Sequence, residues 1–276
     1  MPTISRPYSD SPTRPPADEF RFALLGSGSK GNAAVVQYND TTLLIDAGLS
    51  HRQISMRLRR LGLSMDDISA CLITHEHQDH IRGLSLLAKR HQLPVFMHPL
   101  TFRFLENVGV QVEQHRFFEE GEQWQVGSMG ITSFPLPHDS RSAVGFILQA
   151  DGLSLGYFTD LGEVQPPLVE AVSQLDWLIL EANHDPQMLV EGPYPVHIKE
   201  RIASPRGHLS NLEAAELVSE AQKAGKLRGV VLAHLSETNN TPAIALKAFN
   251  GLSAKFPKIL VAEQREPTPW ITLEER

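Results

Sequence analysis

The segment THEHQDH, residues 74–80, places three imidazoles and two carboxylates within one short stretch. His75 and His77 are two residues apart, so in extended backbone their side chains point the same way. Asp79 and His80 come where IRGLSLLAKR begins to read as a helix, and a turn there aims them at a second point. Imidazole and carboxylate ligands suit zinc, iron or manganese, whereas an all-oxygen set would suit magnesium or calcium. A solvated polar loop would need no matching residues downstream. Yet Asp46, His75, His138, Asp160 and His234 each stand at the C-terminal end of an apolar run. That is the sheet edge at which α/β folds assemble their sites.

A second pattern points elsewhere and fails. Gly26, Gly28 and Gly31 have the spacing G-x-G-x-x-G, and Asp46 follows at the distance of a ribose-binding acid. The fingerprint requires the last glycine to open a helix. Gly31 is followed instead by NAAVVQY, the pair Asn39-Asp40 and TTLLID, which reads as a hairpin. A dinucleotide cofactor is therefore excluded, and the loop needs another role.

The elements that must carry these residues can be read from periodicity. FRFALLG, AAVVQY, TLLID, ACLITH, PVFMH, ITSFPLPH, AVGFILQ, LSLGYFTD, WLILEA and GVVLAH are expected strands. Helices are expected over 51–61, 83–92, 99–107, 163–173, 196–203, 210–224 and 242–255. Ser210 and Glu213 form a capping box for the sixth of these, and Gly225 stops it. The alternation predicts an α/β sandwich without an internal linker.

The chain of 276 residues is long enough for a sizeable core. Residues 1–19 hold five prolines and no apolar stretch, so a Pro-rich disordered tail is expected rather than a signal peptide. Cys71 is the single cysteine and lies in an apolar run, which excludes an intrachain disulfide and points to a reducing cytoplasm. The net charge of −7 gives no general attraction to nucleic acid or membranes, so an anionic substrate would need a local basic site. No apolar run is long enough to span a bilayer, and no membrane partner is expected.

THEHQDH and the order of the downstream residues resemble the metallo-β-lactamase superfamily over about residues 20–265. The resemblance implies an αββα sandwich as one domain over 20–276. GSGSKGN, DAGLS, LEANHD, YPVHIKERI, GHLSN and HLSETNN further resemble the YycJ (WalJ) branch, which is associated with 5′-to-3′ DNA exonuclease activity. LEA and GHLSN are similar to two ribonuclease Z motifs. Carried over by position, the resemblance implies that His75, His77 and His138 hold one metal ion. Asp79, His80 and His234 would hold a second, and Asp160 would bridge the two. Asp46 would tie its strand end to the HxH loop without touching metal. Two divalent ions are implied, zinc, manganese or iron, with zinc or manganese foremost.

A hydroxide shared by two such ions would attack a phosphodiester in line, and the departing alkoxide would gain from a proton donor. His184 and His208 are the candidates, and the ribonuclease Z resemblance implies that Glu181 orients His208. Ser29, Lys30 and Asn32 in the glycine-rich loop are candidate donors at the mouth of the site. Arg141, Lys199, Arg201 and Arg206 supply local positive charge for phosphates. The expected activity is a dinuclear phosphodiesterase acting on nucleic acid, DNA foremost and from an end. A small-molecule hydrolase of a thioester, lactone or β-lactam is the alternative.

Overall fold

In a computed structural model the described residues are 19–252 and 258–274. The Pro-rich stretch 1–18 and the end of the expected 242–255 helix lie outside them. The strands are β1 (Arg21–Gly26), β2 (Ala33–Tyr38), β3 (Thr41–Ile45), β4 (Ala70–Leu72), β5 (Val95–Met97), β6 (His115–Phe117) and β7 (Gln123–Val126). They continue as β8 (Met129–Leu136), β9 (Ala143–Ala150), β10 (Leu153–Phe158), β11 (Trp177–Glu181), β12 (Gly229–Ala233), β13 (Lys258–Val261) and β14 (Ile271–Thr272). The helices are α1 (His51–Arg60), α2 (Gln78–Ile81), α3 (Leu84–His91), α4 (Pro99–Asn107) and α5 (Pro166–Ser173), then α6 (Pro186–Glu191), α7 (Val196–Ile202), α8 (Asn211–Gln222) and α9 (Pro242–Ala248).

All ten expected strands form. Asn39-Asp40 makes the two-residue turn between β2 and β3, with Asn39 at φ 52° and Tyr38 paired with Thr41. Among the described residues the strands make two seven-stranded sheets, ordered β14-β1-β2-β3-β4-β5-β6 and β13-β12-β11-β10-β9-β8-β7. Each sheet joins an antiparallel meander to parallel strands. One apolar core lies between the sheets, with Phe22, Leu43, Phe146, Leu155 and Tyr157 among its members. A second packs α1 and α3 on the first sheet, and a third packs α5 and α8 on the other. The αββα sandwich follows.

Element boundaries moved where a cap overrides periodicity. α5 begins at Pro166 rather than at 163, because proline takes the first helical position readily. Ser210 and Glu213 form the capping box as expected, and α8 ends at Gln222, with Gly225 (φ 74°) turning the chain just beyond. α9 is shorter than expected, ending at Ala248 with Phe249 as its cap.

Close backbone approach sets the sheet edge that bears the motif. The Gly48 amide donates to the Asn32 carbonyl at 2.9 Å, and the Asn32 amide donates to the Asp79 carbonyl at 2.7 Å. A Cβ on Gly48 would overlap the Asp79 carbonyl, whereas one on Gly130 would meet nothing closer than 3.8 Å. Gly48→Ala should therefore destabilise the chain by about 3 kcal/mol, the upper range for overpacking. Gly130→Ala should stay within about 1 kcal/mol of the parent, as a Gly-to-Ala change in a strand does. Urea unfolding midpoints of the two variants check this.

Candidate metal centre

The site lies along one edge of both sheets, where β3, β4, β8, β10, β11 and β12 end. Asp46 follows β3, Asp160 lies two residues past β10 and His234 follows β12. All three are non-glycine residues in the left-handed region, at φ 60°, 61° and 53°. This conformation costs about 1–2 kcal/mol per residue. Here it turns the chain sharply off each strand, and the side chains stay at the edge.

Ligand-type atoms of His75, His77 and His138 lie within 4.8 Å of one another, as do those of Asp79, His80 and His234. Asp160 joins His75 and His80 in a third such group, so it stands between the first two. The set of seven expected from the sequence is thus brought together.

Most of the rings are held from behind. His80 Nδ1 lies 2.7 Å from Asp46 Oδ2, and His138 Nδ1 lies 3.0 Å from the Gly207 carbonyl. His234 Nδ1 lies 2.6 Å from Glu181 Oε1, and His75 Nδ1 lies 3.0 Å from Thr74 Oγ1. An acceptor at Nδ1 fixes a proton there and turns Nε2 toward the pocket. Thr74 also donates to Asp46 through its amide at 2.9 Å and its hydroxyl at 3.0 Å. Thr74 was missed in the sequence, where only its place beside His75 pointed to it.

The pocket suits cations. His75 Nε2, His234 Nε2 and Asp160 Oδ2 are buried and make no hydrogen bond. Each such atom costs about 1–3 kcal/mol unless something meets it. Burial alone would raise the Asp160 carboxyl, but His234 and His80 hold it well below its ordinary value. Burial also works against charge on His80 and His234, yet Asp160 pulls both rings well above theirs, helped at His80 by Asp46. Excess proton affinity among converging ligand atoms is what a divalent ion would replace. The donors and their burial therefore fit divalent metal.

Glu181 binds more than one ring. Its Oε1 lies 2.8 Å from His208 Nδ1 as well as 2.6 Å from His234 Nδ1, and its Oε2 accepts from the Leu161 and Leu209 amides at 3.0 and 3.2 Å. Burial would raise its pKa, but His208 and His234 bring it to about 2. His208 is opposed by burial and supported by Glu181, which leaves its pKa above the ordinary value. His184 differs: it is buried, its Nδ1 has no partner and burial lowers its pKa.

The candidate substrate contacts do not all stay free. Asn32 turns inward. Only 1% exposed, it accepts from the Gly28 amide at 2.7 Å and turns Nδ2 toward His80 Nε2 (3.0 Å) and Asp79 Oδ2 (3.3 Å). It braces the motif from within rather than lining the mouth. The glycine-rich loop offers little more to a substrate, since the Ser27, Lys30 and Gly31 amides donate to Glu263, Gln264 and Gly28. Ser29 is exposed, and the Lys30 ammonium pairs with Glu237. Lys199 donates to the Val190 carbonyl at 2.6 Å, and Arg201 pairs with Asp139 at 2.5 Å. Arg206 donates to the His138 carbonyl. Arg141 lies over Phe104, 5.8 Å from the ring centre, and faces a cavity of about 350 Å³ that reaches His138. Among the described residues no helix is long and apolar enough to cross a membrane.

Residues 41–234 match the beta-lactamase superfamily domain. The chain is 34% identical over 230 residues to exodeoxyribonuclease WalJ of Streptococcus pneumoniae, covering 82% of this chain and 85% of that one. It is 33% identical over 228 residues to exodeoxyribonuclease YycJ of Bacillus anthracis, covering 82% and 86%. The crystal structure of the metallo-β-lactamase fold protein YhfI from Bacillus subtilis superposes with a TM-score of 0.71 at 18% identity, over 91% of this chain and 100% of that one. By sequence match, fold and site, the chain belongs to the metallo-β-lactamase superfamily of metal-dependent hydrolases.

Proposed function

We propose that the chain is a dinuclear metal-dependent DNA exonuclease, working 5′ to 3′ in a reducing cytoplasm. The observation that carries this reading is His208, held on Glu181 at 2.8 Å beside the two ligand groups. Relatives named as exodeoxyribonucleases support the choice of DNA. His75, His77 and His138 would hold one ion, Asp79, His80 and His234 the other, and Asp160 would serve both. Bound there, the ions would supply a water of lowered pKa and positive charge for the scissile phosphate.

The chain's own residues do the rest. Glu181 fixes the His208 proton at Nδ1 and raises the pKa of that ring, which favours a second proton on Nε2 for the leaving alkoxide. The same carboxylate orients His234, so the donor and one ligand share a support. Asp46 and Thr74 keep His75 and His80 aimed inward. His184 is poorly suited as the donor, because burial keeps its ring neutral. A thioester expels a thiolate, which leaves with little help from an acid, so a donor held in this way fits an alkoxide leaving group better.

Elemental analysis should find close to two metal ions per chain, and Asp160→Ala should lower both. One tightly held ion, unchanged by that substitution, would contradict the assignment. Loaded with manganese or zinc, the protein should degrade end-labelled DNA and hydrolyse bis-p-nitrophenyl phosphate, leaving nitrocefin and lactoylglutathione intact. Turnover of either of the last two with inert DNA would instead favour a small-molecule hydrolase. His208→Ala should retain metal yet slow DNA cleavage by about 10²-fold. Release of p-nitrophenolate, which needs little protonation, should suffer far less. His75→Ala should impair both substrates together, and equal losses in the His208 variant would remove it from the donor role.

A further inference from the structure

Residues 205–208 approach the centre from the end of α7 and meet the turn that follows β8. The Arg206 guanidinium donates through Nε to the His138 carbonyl at 2.9 Å and through a terminal nitrogen to the Ser140 carbonyl at 3.3 Å. The next residue, Gly207, receives the His138 ring at Nδ1, 3.0 Å away. The residue after that is His208, held on Glu181. Three consecutive residues therefore grip the backbone of one ligand, the ring of the same ligand and the support of a second.

The grip depends on close packing. A Cβ on Gly207 would overlap the Arg201 and Ile202 carbonyls, and one on Gly162 would overlap Pro205 and press on the Gly207 amide. The segment cannot slide along these neighbours. It can still tilt away from the His138 turn, and the Arg206 fork is placed to prevent that. Arg201 adds a second tie, from α7 to Asp139 in the same turn.

We propose that Arg206 is a positioning residue, fastening the Pro205–His208 segment to the His138–Ser140 turn and so setting the His138 ring, rather than a phosphate contact. The inference rests on the reading of His138 as a metal ligand. An acceptor behind a ligating imidazole fixes its tautomer and orientation, and losing such support costs about 10–100-fold in metal affinity. Releasing Arg206 loosens that acceptor, the Gly207 carbonyl. Lysine cannot replace arginine here, because a single ammonium lacks the planar fork that spans two carbonyls.

The test titrates the full-length protein, parent, Arg206→Ala and Arg206→Lys, with zinc against a chromophoric chelator. It also measures cleavage of end-labelled DNA at several salt concentrations. Both variants should bind one of the two ions about 10-fold more weakly. Each should lose kcat, with KM within about twofold of the parent's, as when an interaction made only in the transition state is removed. The salt dependence of KM should match the parent's. A phosphate contact would leave ion affinity unchanged, raise KM in the alanine variant and reduce its salt slope by about one. That result, or full recovery of ion affinity by lysine, overturns the proposal. If the alanine variant fails to fold, the lysine variant carries the test. A parent that binds two ions but leaves DNA uncut would defeat the nuclease reading while the chelator titration still judges Arg206. A parent that binds no ion overturns both.

Discussion

A carboxylate without solvent can stay ionised only if its lone pairs are met, and Glu181 is fully buried. It sits on the last residue of β11 and accepts from four donors: two backbone amides and the rings of His208 and His234. Those donors come from the turn after β10, the segment before α8 and the end of β12. One buried charge thus draws three chain segments to the same point. Losing any donor leaves the carboxylate short of partners in a medium where that is costly. The same logic repeats at Asp46, which is fully buried and answered by Thr74 and His80.

Much of this was legible in the sequence, for a local reason. The strands are continuous apolar runs, and the four ligand-type residues of the motif lie within six residues, so their spacing alone says how they point. The missed elements lack that signal. β6 and β7 are the outer strands of their sheets, and β7 alternates between exposed and half-buried residues without an apolar run. α6 is six residues long and starts at Pro186, capped by Asp185. The candidate substrate contacts carry no such local signal for another reason. Arg201 and Arg206 meet partners 62 and 68 positions away, and Asn32 meets Asp79 across 47. A charge in the sequence does not say whether solvent or another part of the chain will answer it.

The strained backbone at Asp46, Asp160 and His234 belongs to the same account. A non-glycine residue in the left-handed region persists only where its surroundings over-determine it. Asp46 meets that condition through its bonds to Thr74 and His80, and His234 through Glu181 and the Ser27 hydroxyl that accepts from its amide at 2.7 Å. Asp160 has one oxygen without a hydrogen bond. It is therefore the strained residue whose surroundings a bound cation would complete.

The ligand-type residues are divided unequally along the chain and between the two sheets. His75 to His80 follow a strand of the first sheet, whereas His138, Asp160 and His234 follow strands of the second. During synthesis the trio His75, His77 and His138 is complete about a hundred residues before His234 is made. A nascent chain halted between those points would carry one full set of three imidazoles beside a second set with an arm missing. The set of ligand-type residues is thus complete only once β12 has been made, because His234 is the residue that follows that strand.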